Sequence, residues 1–427
     1  MKNFVLKGDI CYSKSLTELH SQENAYLLCI DGKSAGVFDV LPVQYQDLPL
    51  LDYSDHLIIP GLVDLHLHAP QLPYRALGMD LELIDWLNAY TFPEEARYDD
   101  LDYAKEAYGQ FVGELQAGPN TRGVIFATRH VEATILLMDL LEASGLSTMV
   151  GKVNMDRNTP DPLCEGSASQ SLADTKRWLE TVGGRYINTQ PILTPRFVPS
   201  CSDALLAGLG EIAREFSLPV QSHLSENKGE IAWVQGLVPD APSYGHAYHK
   251  HGLFGGAVPT VMAHCVWPSD IEFSLMQEQG VWVAHCPQSN INLSSGIAPV
   301  RKFLEGGVPV GLGSDVAGGV HTSIFRAIVD AIGVSKLYWR LVDQGAKPLS
   351  LEEGFYLATL GGGSFFGTVG SFEAGYALDA LVIADKTLRT VQTKTLQDRL
   401  AKVIYLSENR HIKEKFVAGK KLERVYV

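Results

Sequence analysis

Two histidines two residues apart, His66 and His68, close the apolar stretch IIPGLVDLHLHAPQ (residues 58–71). On a β-strand, residues i and i+2 project from the same face, so both imidazoles would point one way and could clasp a metal ion. An HxH pair by itself is equally an ordinary polar strand end. Further ligand types stand after other apolar runs: His223 in QSHLSEN, His264 in MAHC and Asp315 in GLGSDVAGG. Five such groups on four runs make a metal centre the simpler reading. A metal so held would bring the pKa of its water down towards neutrality and supply a nucleophile for hydrolysis.

The elements that must position these groups show in the pattern around them. Eight short β-branched or apolar runs end at or beside polar residues, at His68, His130, Asp156, Phe197, Asn227, Val266, Asn290 and Asp315. Most are apolar on both faces, as buried parallel strands are. Between them, stretches such as 172–182, 203–216 and 270–279 carry apolar residues at three- and four-residue spacing and read as crossover helices. This predicts an α/β chain folded as a (β/α)8 TIM barrel, whose reactive residues sit at the C-terminal strand ends. The flanking segments alternate in a β-like way. The expectation is a small β-sandwich-like domain made from both chain ends, residues 1–57 and 370–427, on a barrel of residues 58–369.

Composition narrows the partners. The chain has 427 residues, 46% of them hydrophobic, which is room for one large domain and a smaller one. A net charge of −14 with no cluster of Lys and Arg argues against nucleic acid. No run approaches a membrane span, and Lys7 and Asp9 interrupt any apolar signal-peptide core. Six scattered cysteines without a CxxC pair read as reduced thiols. The expected setting is cytoplasmic, with a neutral small molecule as substrate.

The PG-x-VD-x-H-x-H start, the late strand histidines and the final Asp resemble the amidohydrolase superfamily. Longer stretches are similar to its guanine deaminase family: HAPQ, WLNAYTFPEE, FATRH, GKVNMD, LTPRF, SHLSEN, AHCPQSN and GLGSDVAGG. The resemblance implies that His66, His68, His223 and Asp315 hold the metal and that His264 hydrogen-bonds the attacking water. The fourth run ends in TPRF and offers no lysine to bridge two metals, so one ion is expected. Zinc suits three histidines and an aspartate, and iron accepts similar ligands.

In the same family pattern, Asp315 takes the water's proton and Glu226 passes it to N3 of guanine, since C2 becomes electrophilic once a ring nitrogen is protonated. His223 and Glu226 then border the substrate as well. Arg196 would bond the O6 and N7 edge with its fork, Phe197 would cover the purine face, and Gln71 would meet a ring edge. On the residues alone, Glu226 reads equally as a solvated carboxylate at a helix start, Arg196 as part of an ion pair and Phe197 as core. His285 is a further candidate for the pocket, while His246, His249 and His251 in GHAYHKHG read as solvated surface. Trp267 and Pro268 after the late histidine, and Ser314 before the aspartate, depart from the family pattern.

The expected activity is hydrolytic deamination of guanine to xanthine and ammonia, by a homodimer as the resemblance implies. Two alternatives stay open: a deaminase or chlorohydrolase of another heterocycle, and a barrel that has lost its metal and serves in assembly. Deaminases that act within nucleic acid carry H-x-E and P-C-x-x-C motifs, which this chain lacks.

Overall fold

The computed structural model describes residues 3–423. The first two residues and residues 424–427 of the expected terminal domain lie outside that range. The chain opens with β1 (Phe4–Ser13), β2 (Leu19–Ile30), β3 (Lys33–Phe38) and β4 (Leu50–Pro60); β1 pairs antiparallel with β2 and parallel with β4. Gly61 follows, where a Cβ would stand 2.2 Å from the Thr121 side chain, so only glycine lets the chain pass from sheet to barrel there.

The barrel begins with β5 (Leu62–His68), β6 (Asn120–Phe126), β7 (Ser147–Gly151), the short β8 (Val153–Asn154), β9 (Thr189–Pro191) and the short β10 (Thr194–Pro195). It continues with β11 (Val220–Leu224), β12 (Thr260–His264), β13 (Trp282–His285) and β14 (Val310–Leu312). Strands β5, β6, β7 and β9 form one parallel arc, and β11 to β14 form a second. One seam closes through Leu193, which bridges to Val220. The other closes where the Asp315 amide donates to the His66 carbonyl at 2.8 Å and the His68 amide to the Val316 carbonyl at 3.1 Å. Eight parallel strands therefore complete a (β/α)8 barrel. Its crossover helices include Ala168–Val182, Asp203–Phe216 and Asp270–Gln279, which start on the hydroxyls of Ser167, Ser202 and Ser269, each accepting a backbone N–H of the first turn.

After the barrel, β15 (Ala380–Ile383), β16 (Ile412–Val417) and β17 (Lys420–Lys421) return to β4, giving a mixed sheet in the order β17-β16-β15-β4-β1-β2-β3. Its alternation serves two cores. Ile10, Tyr12, Ile58 and Val382 share one apolar cluster, whereas their neighbours Cys11, Leu57, Ile59 and Ile383 join the larger cluster that includes Leu400 and Val403 of the helix Leu396–Leu406. A part-buried Arg122–Asp379 pair at 2.6 Å ties this sheet to the barrel. Among the described residues no helix is long and apolar enough to cross a membrane, and no disulfide joins the six cysteines.

Strict alternation fails on β5, where the site begins. Val63 and Leu65 belong to an apolar cluster with Val124, Ile192, Val261 and Ala284 of the other strands, while Leu67 packs in the outer cluster. The register against β6 shifts between Asp64 and Leu67. That irregularity hands the inward positions from Val63 and Leu65 to His66 and His68. Asp64 braces it, accepting the Ser314 amide at 3.0 Å and the His66 amide at 3.3 Å.

Candidate active site

His66 and His68 on β5, His223 on β11, His264 at the end of β12 and Asp315 just after β14 converge at the C-terminal mouth of the barrel, all but His223 almost wholly buried. Several of these strands end in a sharp left-handed turn, with φ of 47° at Ser225, 72° at His264 and 48° at Asp315. Backbone held there in non-glycine residues is strained, which is common where side chains must be aimed at a reacting centre.

The donor atoms form a tight cage. His66 Nε2 lies 3.1 Å and His68 Nε2 3.4 Å from Asp315 Oδ1, and His223 Nε2 lies 3.3 Å from His68 Nε2. Tetrahedral ligands with bonds of about 2.0–2.1 Å stand about 3.3–3.4 Å apart, so this spacing suits a metal ion. His66 Nε2 is buried without a hydrogen-bond partner among the described residues, as a lone pair reserved for an ion would be. The Nδ1 of His223 lies 2.6 Å from the Arg196 carbonyl, which places its proton there and leaves Nε2 bare. Cys286 also lies close to His66, His264 and Asp315, and burial pushes its thiol well above the usual range.

Burial, and then the neighbouring imidazoles, lower the pKa of His68 and His223 well below the ordinary value, and burial lowers His66 despite Asp315. These rings are neutral, the form that can bind a metal. For Asp315, burial favours the acid, yet His66, His264 and His68 outweigh it and hold the carboxylate well below its usual range. Burial is likewise opposed at His264, where Glu226 and Asp315 raise the pKa. Glu226 behaves differently: burial pushes it up to about 7. The His264 ring is anchored by Asn290, whose Oδ1 lies 2.9 Å from Nδ1, and its Nε2 stands 3.5 Å from Glu226 Oε2 and 3.7 Å from Asp315 Oδ2.

A cavity of about 410 Å³ opens beside the cage, with Leu83, Trp86 and Leu87 among its apolar walls and Arg196, Phe197 and Glu226 also in its lining. Arg196 is both things its sequence allowed. It lines the cavity and pairs through Nη1 with the buried Glu95 at 2.5 Å. Phe197 is buried, set edge-on to Trp233. Glu226 is buried, not solvated, and caps nothing: Asn227 and Glu230 form the capping box of the helix Lys228–Leu237.

Gln71 does not border this cavity; its Nε2 donates to Glu95 Oε1 at 2.9 Å and its Oε1 accepts the Ala317 amide at 3.2 Å. His285 borders a second cavity of about 290 Å³, with both ring nitrogens unpartnered among the described residues. His246, His249 and His251 stay half-buried or exposed, but the same stretch sends in Tyr248, whose hydroxyl donates to the His223 carbonyl at 3.0 Å. Sequence reasoning passed over Glu95, Trp86, Glu230 and Asn290. Glu95 and Trp86 stand in the motif WLNAYTFPEE, and Asn290 ends AHCPQSN, so the motifs held them, although no spacing rule tied them to the histidines.

The amidohydrolase family pattern matches residues 57–422. A guanine deaminase from Dictyostelium discoideum is 39% identical over 384 residues, covering 88% of this chain and 84% of its own. The guanine deaminase of Homo sapiens is 37% identical over 392 residues, covering 88% and 86%. Among solved structures, a guanine deaminase from C. acetobutylicum with bound guanine in the active site superposes with a TM-score of 0.96 at 45% identity, over 99% of this chain and 100% of that one.

Proposed function

The chain belongs to the amidohydrolase family, and we propose that it is a guanine aminohydrolase, converting guanine and water to xanthine and ammonia. The observation that carries this reading is the cavity that puts Arg196, Phe197 and Glu226 against the histidine–aspartate cage. Similarity to guanine deaminases over nearly the whole chain supports guanine as the base.

His66, His68, His223 and Asp315 would hold one metal ion; zinc matches three imidazoles and a carboxylate best, and iron accepts the same set. When bound, the ion brings the pKa of a water towards neutrality. Asp315, ionised before the reaction, receives that water's proton. Glu226, with a pKa near 7, can both take up and release a proton at neutral pH, so it gives its proton to N3 as the water adds to C2, takes up the water's proton from Asp315, and gives that one to the amino group while Asp315 draws the remaining proton from the C2 hydroxyl. His264, with Nδ1 anchored on Asn290, presents Nε2 to the water as it adds to C2. The C2–N bond breaks and ammonia leaves.

Recognition follows from the second carboxylate, Glu95. It fixes one nitrogen of the Arg196 guanidinium, leaving the other donors of a rigid fork for O6 and N7. Gln71, whose amide is engaged with Glu95 and Ala317, supports a role one step behind that fork. Phe197 covers the ring face. The expected division, residues 1–57 with 370–427 as the small domain and residues 58–369 as the barrel, is supported over the described residues by the sheet joining both chain ends. The family resemblance further supports a cytoplasmic homodimer.

A steady-state assay tests the reading, following ammonia and the purine absorbance change with guanine, and with adenine and a triazine beside it. The expected result is turnover of guanine that a chelator abolishes and one equivalent of zinc restores. Turnover of another ring with guanine inert would refute the substrate, and activity indifferent to chelation would refute the metal.

A further inference from the structure

Three loops that follow β11, β12 and β13 are stitched together beside Glu226. The Ser295 hydroxyl donates to Glu226 Oε1 at 3.1 Å. Its own backbone is pinned twice: the Ser295 amide donates to the Asn290 carbonyl at 2.9 Å, and the Trp267 indole N–H donates to the Ser295 carbonyl at 2.7 Å. Trp267 in turn ties back to the start of the circuit, its amide donating to the carbonyl of Ser225, the residue before Glu226, at 3.0 Å. Gly296 adopts φ 127°, and a Cβ there would stand 2.7 Å from the indole, so the loop fits beneath Trp267 only as glycine. From the other side, Glu230 Oε2 accepts the Glu226 amide at 3.0 Å.

Resting on the reading above, we propose that Ser295, clasped by Trp267 and Asn290, is a positioning residue that decides which oxygen of Glu226 carries the relayed proton. A hydroxyl that donates to Oε1 makes that oxygen the acceptor, so the carboxyl proton resides on Oε2. That is the oxygen 3.5 Å from His264 Nε2. Without the hydroxyl nothing holds the proton to one oxygen, and it is shared between Oε1 and Oε2. Trp267, which departs from the family pattern, is then part of the support for this contact, and its other face carries the Lys228 ammonium at 4.1 Å.

The charged groups facing Glu226 are His264, Glu230 and Asp315, and the cavity adds His68, Arg196 and His223; Ser295 is the neutral donor to its carboxylate. The test is a titration of the zinc-loaded protein by NMR with carboxyl-labelled glutamate, the Glu226 signal assigned by its loss in Glu226→Gln. Removing a donor to the charged form raises a carboxyl pKa, so Ser295→Ala should shift the Glu226 titration upward by about one pH unit. Its kcat on guanine should fall about tenfold with KM little changed. Ser295→Thr keeps the hydroxyl and should titrate as the parent, and Trp267→Phe should move the titration in the same direction by less. An unmoved Glu226 titration in Ser295→Ala overturns the proposal, even where thermal stability drops. A parent enzyme inert on guanine that still shows the shift overturns the substrate reading and leaves the positioning role standing.

Discussion

Glu226→Gln should make the protein more stable and far less active. The carboxyl is buried beside the cage, and burial lifts its pKa from an ordinary 4.5 to about 7. Because the folded pKa lies above the unfolded one, the folded state holds a proton that the unfolded chain has lost between those values. Stability is therefore fully present below about pH 4.5 and is lost as pH rises to about 7. The difference of about 2.5 pH units, at 1.36 kcal/mol each, is a loss of about 3 kcal/mol in the parent protein. Glutamine keeps an acceptor for the Ser295 hydroxyl and carries no charge, so it escapes that loss. Urea unfolding of both proteins from pH 5 to pH 8 should show the variant gaining about 2–3 kcal/mol on the parent across that range. Over the same range its kcat on guanine should be about 10²- to 10⁴-fold lower, since no general acid remains at N3. Parallel stability profiles would refute the buried, neutral carboxyl, and a kcat within a few-fold of the parent would refute its proton-carrying role.

Arg196→Lys replaces a fork with a point charge. With the Glu95 contact at one end, a single ammonium cannot also bond O6 and N7 together, so kcat/KM for guanine should fall about 10- to 100-fold, mostly through KM. An unchanged KM would remove Arg196 from recognition. Glu95→Ala leaves the guanidinium buried without its counter-charge, which costs about 3–5 kcal/mol of unfolding free energy. A loss below about 1 kcal/mol by urea unfolding would show the pair to be dispensable.

Much of the architecture is legible in the chain itself because it rests on local periodicity. Parallel strands buried on both faces must be apolar throughout, and crossover helices must show apolar residues at three- and four-residue spacing, so the eight strands and the helices at 203–216 and 270–279 follow from residue types, although all the strands but β5 stop two to five residues before the expected ends and Asn290 lies in the helix Pro287–Asn292. The HxH on β5 is likewise local, since two residues on one strand face need no distant partner to be read together. What lies between distant segments is a different matter. The β-like alternation of both chain ends points to one shared domain, but which strands meet, β4 with both β1 and β15, depends on how the barrel brings the termini together.

The site divides along the same line. The side chains that could bind a metal are named by their chemistry, but their protonation and aim come from tertiary contacts. The Arg196 carbonyl sets the tautomer of His223, the register shift on β5 turns His66 inward, and burial first of all, with Glu230 and Asp315 nearby, moves Glu226 into the range where it can trade protons near pH 7. Glu95 shows the limit most clearly. In the sequence it is one of two adjacent glutamates in a polar stretch, 101 residues from Arg196, and only the folded barrel buries the two against each other. A residue type states what a group can do; desolvation and the partners it meets on folding, which act through space and not along the chain, decide what it does.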